Sequence, residues 1–122
     1  MSLGGIALVG SQATLGLAGL AVGGAKVTHQ EDQVDDFQRF GYPQWFRVAT
    51  GIIEILSGIG LLAGLVWHPG LALVGGLLLS GVMVGAIITH VHIGDPLSKT
   101  AVPAFLLALT AALLAGQHLV QL

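Results

Sequence analysis

The chain has 122 residues, 54% hydrophobic and 8% charged, with mean hydropathy +0.89 and a formal net charge of −2. So little charge cannot disperse a water-soluble domain of this length, and a slightly acidic chain without a basic stripe offers no nucleic-acid surface. Cysteine is absent, which removes disulfides, thiolate chemistry and cysteine-ligated iron–sulfur clusters from this chain.

Four nearly uncharged stretches, Leu3–Ala25, Phe46–Trp67, Gly70–Val91 and Ala101–Leu122, carry the apolar residues. Each approaches the ~20 residues an α-helix needs to cross a bilayer. The reading is an all-α polytopic membrane protein, a four-transmembrane-helix bundle forming one domain over the whole chain. Its helices are expected over about 3–27, 45–67, 70–92 and 101–121, each long enough to span. The first stretch has no basic residue before it and is too long for a secretory leader, so a retained span is expected.

The connections are short and legible. Thr28, followed by Glu31 three residues on, fits a capping box. Val34, Phe37 and Phe40 then recur at every third position among Asp35, Asp36, Gln38 and Arg39, which predicts a short amphipathic helix at the membrane surface between spans one and two. Gly41 can end it in a left-handed conformation, and Pro43 blocks its continuation. Tyr42, Trp45 and Phe46 follow as an aromatic anchor at headgroup level. Trp67-His68-Pro69-Gly70 and Gly94-Asp95-Pro96 read as the remaining turns, with Pro103 in the first turn of the last helix.

All four basic residues, Lys26, Arg39, Arg47 and Lys99, fall at the first and third connections. That bias predicts cytoplasmic loops one and three, with both termini outside, in the cell inner membrane. Small residues repeat at four-residue spacing in every span: Gly19 and Gly23, Gly60 and Gly64, Gly81 and Gly85, then Ala108, Ala112 and Gly116. Such faces pack helices closely, either within one chain or against a membrane partner or second copy.

Candidate chemistry rests on the few ionisable groups in or beside the membrane. Glu54 lies eight residues beyond Phe46, about 12 Å deep at the helical rise. It shares a face with Gly51 and Gly58 that should point into the bundle. A carboxylate at that depth is paired, protonated or functional, and Lys26, in line with Gly19 and Gly23, is its natural partner. His90 and His92 end span three on the same side, but residues two apart on a helix point to different faces. Spacing therefore argues against a metal site built from Glu54, His29, His90, His92 and Asp95, and His68 and His118 make a poor haem pair. Ser11, Ser57 and Ser80 lie deep and lack a nucleophile elbow.

Lys26 closing span one, then Phe40-Gly41-Tyr42-Pro43-x-Trp45-Phe46, then Gly51-x-x-Glu54 with a glycine- and leucine-rich continuation, resembles the DoxX-like family of small membrane proteins. The resemblance covers nearly the whole chain, with its specific part in Lys26–Leu62. It implies a four-helix membrane bundle and an association with membrane oxidoreductases, since founding members are small subunits of a thiosulfate:quinone oxidoreductase. Other relatives resemble assembly factors for membrane receptors. The expectation is an accessory subunit binding a quinone or other lipid-like molecule at Lys26, Tyr42, Trp45, Glu54 and His90. The alternative is a structural or chaperone-like partner in which Lys26 and Glu54 only hold the fold.

Overall fold

A computed structural model describes the backbone of residues 2–121 and the side chains of residues 2–119; Met1 and Leu122 lie outside the described residues. The helices are α1 (Leu3–Val27), α2 (Glu31–Phe40), α3 (Gln44–Val66), α4 (Gly70–His92) and α5 (Leu97–Gln121). Among the described residues there is no strand, and α1, α3, α4 and α5 are each long and apolar enough to cross a membrane. The protein is an integral membrane four-helix bundle with the short helix α2 between its first two spans.

Local chemistry sets most of the boundaries. Ser2 caps α1 by accepting the Gly5 N–H at 3.0 Å. Glu31 and Asp32 in the first turn of α2, and Arg39 in its last, complement the helix dipole. Gly41, at φ +82°, ends α2 in the left-handed conformation the sequence reading assigned to it.

Two expectations are corrected. The capping box does not form: the Thr28 hydroxyl turns back onto the Gly24 carbonyl of α1 at 2.6 Å, and Gln30 precedes α2 without a side-chain cap. His29 takes φ +63° between them, so Thr28 completes the last turn of α1. The last helix begins at Leu97, not near Ala101, because the Lys99 N–H already bonds the Pro96 carbonyl at 2.9 Å. Pro103 therefore sits inside α5 and offers no N–H to the Lys99 carbonyl, a loss placed at the exposed, charged end.

Glycine decides how the spans meet. The most extensive contact joins α1 to α3. There a methyl group on Gly23 would stand 2.5 Å from the Gly51 carbonyl oxygen, and one on Gly58 would stand 2.6 Å from that of Gly16. Gly60 and Gly64 let α4 approach α3 in the same way, at Gly75 and Ala72. Leu15, Leu61, Leu79 and Leu113 fill the centre. Away from the charged end, the buried Gln12 donates to the Leu61 carbonyl at 2.7 Å and accepts from Gln117 at 2.5 Å, tying α1, α3 and α5 together. The buried hydroxyls of Ser57 and Thr110 bond their own helices, at the Ile53 and Leu106 carbonyls, as polar groups must where no water reaches.

Candidate functional site

The up-and-down order brings the end of α1, all of α2, the start of α3, the end of α4 and the start of α5 to one end of the bundle. There the helices separate around a cavity of about 870 Å³. Val22, Ile53, Leu78, Val82, Met83 and Leu106 supply apolar wall, and the amphipathic α2 lays Phe37 and Phe40 across the water-facing end. Phe37 is buried and meets Phe40, Tyr42 and Phe46 at ring-centroid separations of 5.4, 6.2 and 6.3 Å.

Glu54 stands in the inner wall, 1% exposed, with the Lys26 ammonium 3.0 Å from Oε1. The alignment of Gly19, Gly23 and Lys26 with Gly51, Glu54 and Gly58 has its physical meaning here. The two backbones touch at glycine, so the two long side chains reach one another. Among the described residues the ammonium is the one partner of Oε1, which is otherwise buried away from water and from other donors. That is a costly arrangement for a carboxylate oxygen.

Three hydroxyls share the cavity. Tyr42 Oη lies 2.8 Å from Thr89 Oγ1, Thr89 lies 2.8 Å from the Gly85 carbonyl, and Thr50 donates to the Phe46 carbonyl at 2.8 Å. His90 also lines the cavity; its Nδ1 is 2.5 Å from Asp95 Oδ2, and its ring stands edge-on to Phe40 with centroids 5.3 Å apart. Asp95 is gripped in turn by Arg39, which also bonds Asp36 at 3.0 Å, while Lys99 approaches Asp36 at 3.8 Å. The hydrogen bond from His90, joined by that from Arg39, holds the Asp95 carboxyl below the usual carboxylate range. This chain of charges fastens α2 to the α4–α5 turn across the end of the cavity.

Of the five residues singled out from the sequence, Lys26, Tyr42, Glu54 and His90 line this one cavity. Trp45 does not: it is 70% exposed on the outward face of α3, edge-on to Phe46, and its neighbour Phe46 lines the cavity in its place. The two histidines at the end of α4 separate as helix geometry requires, His90 inward and His92 exposed. His29 meets Arg47 at 3.2 Å, His68 accepts the Gly70 N–H at 3.0 Å, and His118 is exposed.

Sequence reasoning missed the remaining members. Thr50 and Thr89 look like ordinary span residues, and nothing local ties Thr89 to Tyr42. Asp95 was legible as a turn residue and as one member of a metal cluster that spacing disfavoured, not as the hydrogen-bond partner of His90 five residues before it across Gly94. Arg47 was counted as a loop charge. It is in fact buried, donating to the Lys26 carbonyl at the end of α1 and to Gln44 at 2.7 Å, a cation where the helix dipole favours one.

Fold and site together define a small polytopic membrane bundle whose apolar cavity is polar at one end. The chain belongs to the DoxX-like family, whose family model matches residues 10–113. It is 38% identical over 71 residues to the "Uncharacterized protein YdgD" of Bacillus subtilis (strain 168), a match covering 58% of this chain and 61% of that relative. The match thus spans about three fifths of the curated relative's length. No solved structure matches.

Proposed function

We propose that this protein binds a quinone or another lipid-like molecule beside Glu54, as an accessory subunit of a membrane oxidoreductase. The observation that carries the binding reading is the Glu54 carboxylate, buried with Lys26 beside it in the wall of an apolar cavity. Apolar walls with a few convergent polar groups are the ordinary design of a small-molecule site. An acid held inside a membrane bundle marks function more often than packing. Glu54 hydrogen-bonds the head of the molecule, Lys26 sets the charge of that carboxylate, and His90 exchanges protons with water at the cavity's end. The oxidoreductase setting is supported by the family to which the chain belongs. The gathering of Lys26, Arg39, Arg47 and Lys99 at one end supports an inner-membrane orientation with that end cytoplasmic and both termini outside.

Native mass spectrometry of the protein purified in mild detergent, wild type beside Glu54→Gln, tests the reading. A lipid-like mass on the wild type that is lost from the variant is the expected result. Bare protein in both overturns it.

A second reading has its own observation, the 3.0 Å Lys26–Glu54 ion pair sealed between α1 and α3. In it the pair only fixes helix register, and the protein serves as a packing or assembly partner of a larger membrane protein or of a second copy through its glycine faces. Bare protein in that experiment, together with co-purification of a membrane partner, supports this reading instead.

A further inference from the structure

Counting hydrogen-bond protons in the cavity tells what kind of head it takes. Every hydroxyl there has spent its proton. Thr50 gives its own to the Phe46 carbonyl at 2.8 Å, and Thr89 gives its own to the Gly85 carbonyl at 2.8 Å. A carbonyl can only accept, so Tyr42, 2.8 Å from Thr89 Oγ1, is the donor of that pair. Each oxygen is left with lone pairs, and redirecting any of these protons to a ligand breaks a bond already made. His90 has its Nδ1 on the Asp95 carboxylate, so only its Nε2 remains for a ligand. Glu54 adds a carboxylate, an acceptor at both oxygens, with Lys26 beside it.

Among the described residues one inner donor stands against these acceptors, the Lys26 ammonium, 3.0 Å from Glu54 Oε1. Gln33, Asp36 and Lys99 are contributed by α2 and the first turn of α5, at the water-facing end. Lys26 and Glu54 cancel in charge, which disfavours an anionic or cationic head at that depth. An anionic head meets the carboxylate and a wall of acceptors, and a cationic one meets the ammonium.

We infer that the cavity selects a neutral, hydroxyl-bearing head on an apolar tail, recognised as a hydrogen-bond donor by Glu54. A hydroxyl gives its proton to the Glu54 carboxylate, which has lone pairs beyond the one Lys26 uses, and accepts from a further Lys26 N–H. A ketone or ether head accepts from Lys26 only, and gives the carboxylate no partner beyond Lys26. This deepens the proposed function and rests on it: for a quinone-type molecule, the reduced form, with two hydroxyls, is the one held. A lipid alcohol presents the same chemistry.

The test is equilibrium binding to the full chain in mild detergent, under anaerobic conditions, read by native mass spectrometry. The probes are an alkylhydroquinone, its dimethyl ether, the matching alkylbenzoquinone, a long-chain vicinal diol and that diol's dimethyl ether. The hydroquinone, the diol or both should bind about ten- to a hundred-fold tighter than the corresponding ether, the range expected for a hydrogen bond to a charged group. Which of the two gains more separates a phenolic from a lipid-alcohol ligand. In Glu54→Gln the preference should shrink toward parity, because the amide supplies an N–H to the ether. Thr50→Val, which leaves the ion pair untouched, should narrow it by less. Ethers and quinone binding as tightly as the hydroxyl compounds overturn the inference and leave the binding reading standing. If none of the probes binds, both fall.

Discussion

Gly19 and Gly23 in α1 and Gly81 and Gly85 in α4 are the same motif in sequence, and the bundle uses them in opposite ways. At Gly19 an added methyl would stand 2.9 Å from the Glu54 carbonyl oxygen, with no room to adjust except by parting two backbones. At Gly81 and Gly85 it would meet nothing within 4 Å, and both residues line the cavity. One stripe makes contact, and the other leaves space. A small residue permits close approach without compelling it. In the span-four stripe, Ala108 and Ala112 face outward, and only Gly116 meets a neighbour, Leu8.

The closed α1–α3 seam and the open cavity can be broken separately. The largest effect should come from Glu54→Ala, which strands the Lys26 ammonium where both elements meet. Removing one member of a buried pair costs about 3–5 kcal/mol. Thermal unfolding in detergent should fall accordingly and recover in part in Lys26→Met/Glu54→Ala; a double variant no better than the single one shows that the two charges do not act as a pair. Next comes Gly23→Ala, whose methyl has no place at 2.5 Å from the Gly51 oxygen. Overpacking of this kind costs about 1–3 kcal/mol, and an unchanged melting temperature would contradict the tight seam.

Tyr42→Phe removes the bond to Thr89 without altering shape, for a loss of about 0.5–1.5 kcal/mol. Gly81→Ala is the contrasting control to Gly23→Ala. With open space around it and helix propensity in its favour, it should raise stability by about 0.5–1 kcal/mol while narrowing the cavity. A loss there as large as at Gly23 would erase the distinction between the two stripes.

The smallest effect is electrostatic, at the cavity's end. Asp95, with its carboxyl held below the usual range by His90 and Arg39, binds fewer protons folded than unfolded. Its contribution is complete above the unfolded value of about 4 and disappears as pH falls through the lowered folded value. The α2–turn contact should therefore loosen only in acid, seen as faster hydrogen exchange in α2, and Asp95→Asn should abolish that dependence.

The candidate site divides along similar lines. Glu54 and Lys26 were legible because a charge inside an apolar stretch is an anomaly, and helical spacing pointed each toward a glycine face. The same arithmetic put His90 and His92 on different faces but set His92, not His90, in line with Gly81 and Gly85; the structure turns His90 to the cavity. Tyr42–Thr89 and His90–Asp95–Arg39 were not legible as contacts. The first joins a loop to a span 47 residues away, and the second depends on how a ten-residue helix folds back over the bundle. Trp45 illustrates the reverse failure. An aromatic beside Phe46 fits a membrane interface before a ligand wall, and its outward face on α3 keeps it out of the cavity lining.

Composition and periodicity by themselves determined the four spans, the amphipathic helix, the left-handed Gly41 and the gathering of positive charge at one end. Each of these follows from a local rule: the length of an apolar run, the spacing of Phe37 and Phe40, a backbone that only lacks a side chain, the place of a lysine. The tertiary structure alone decided which glycines touch, where the helices part and whose protons are already spent. Contact and cavity depend on how five helices share space. The same residue at the same spacing can close one seam and hold another open.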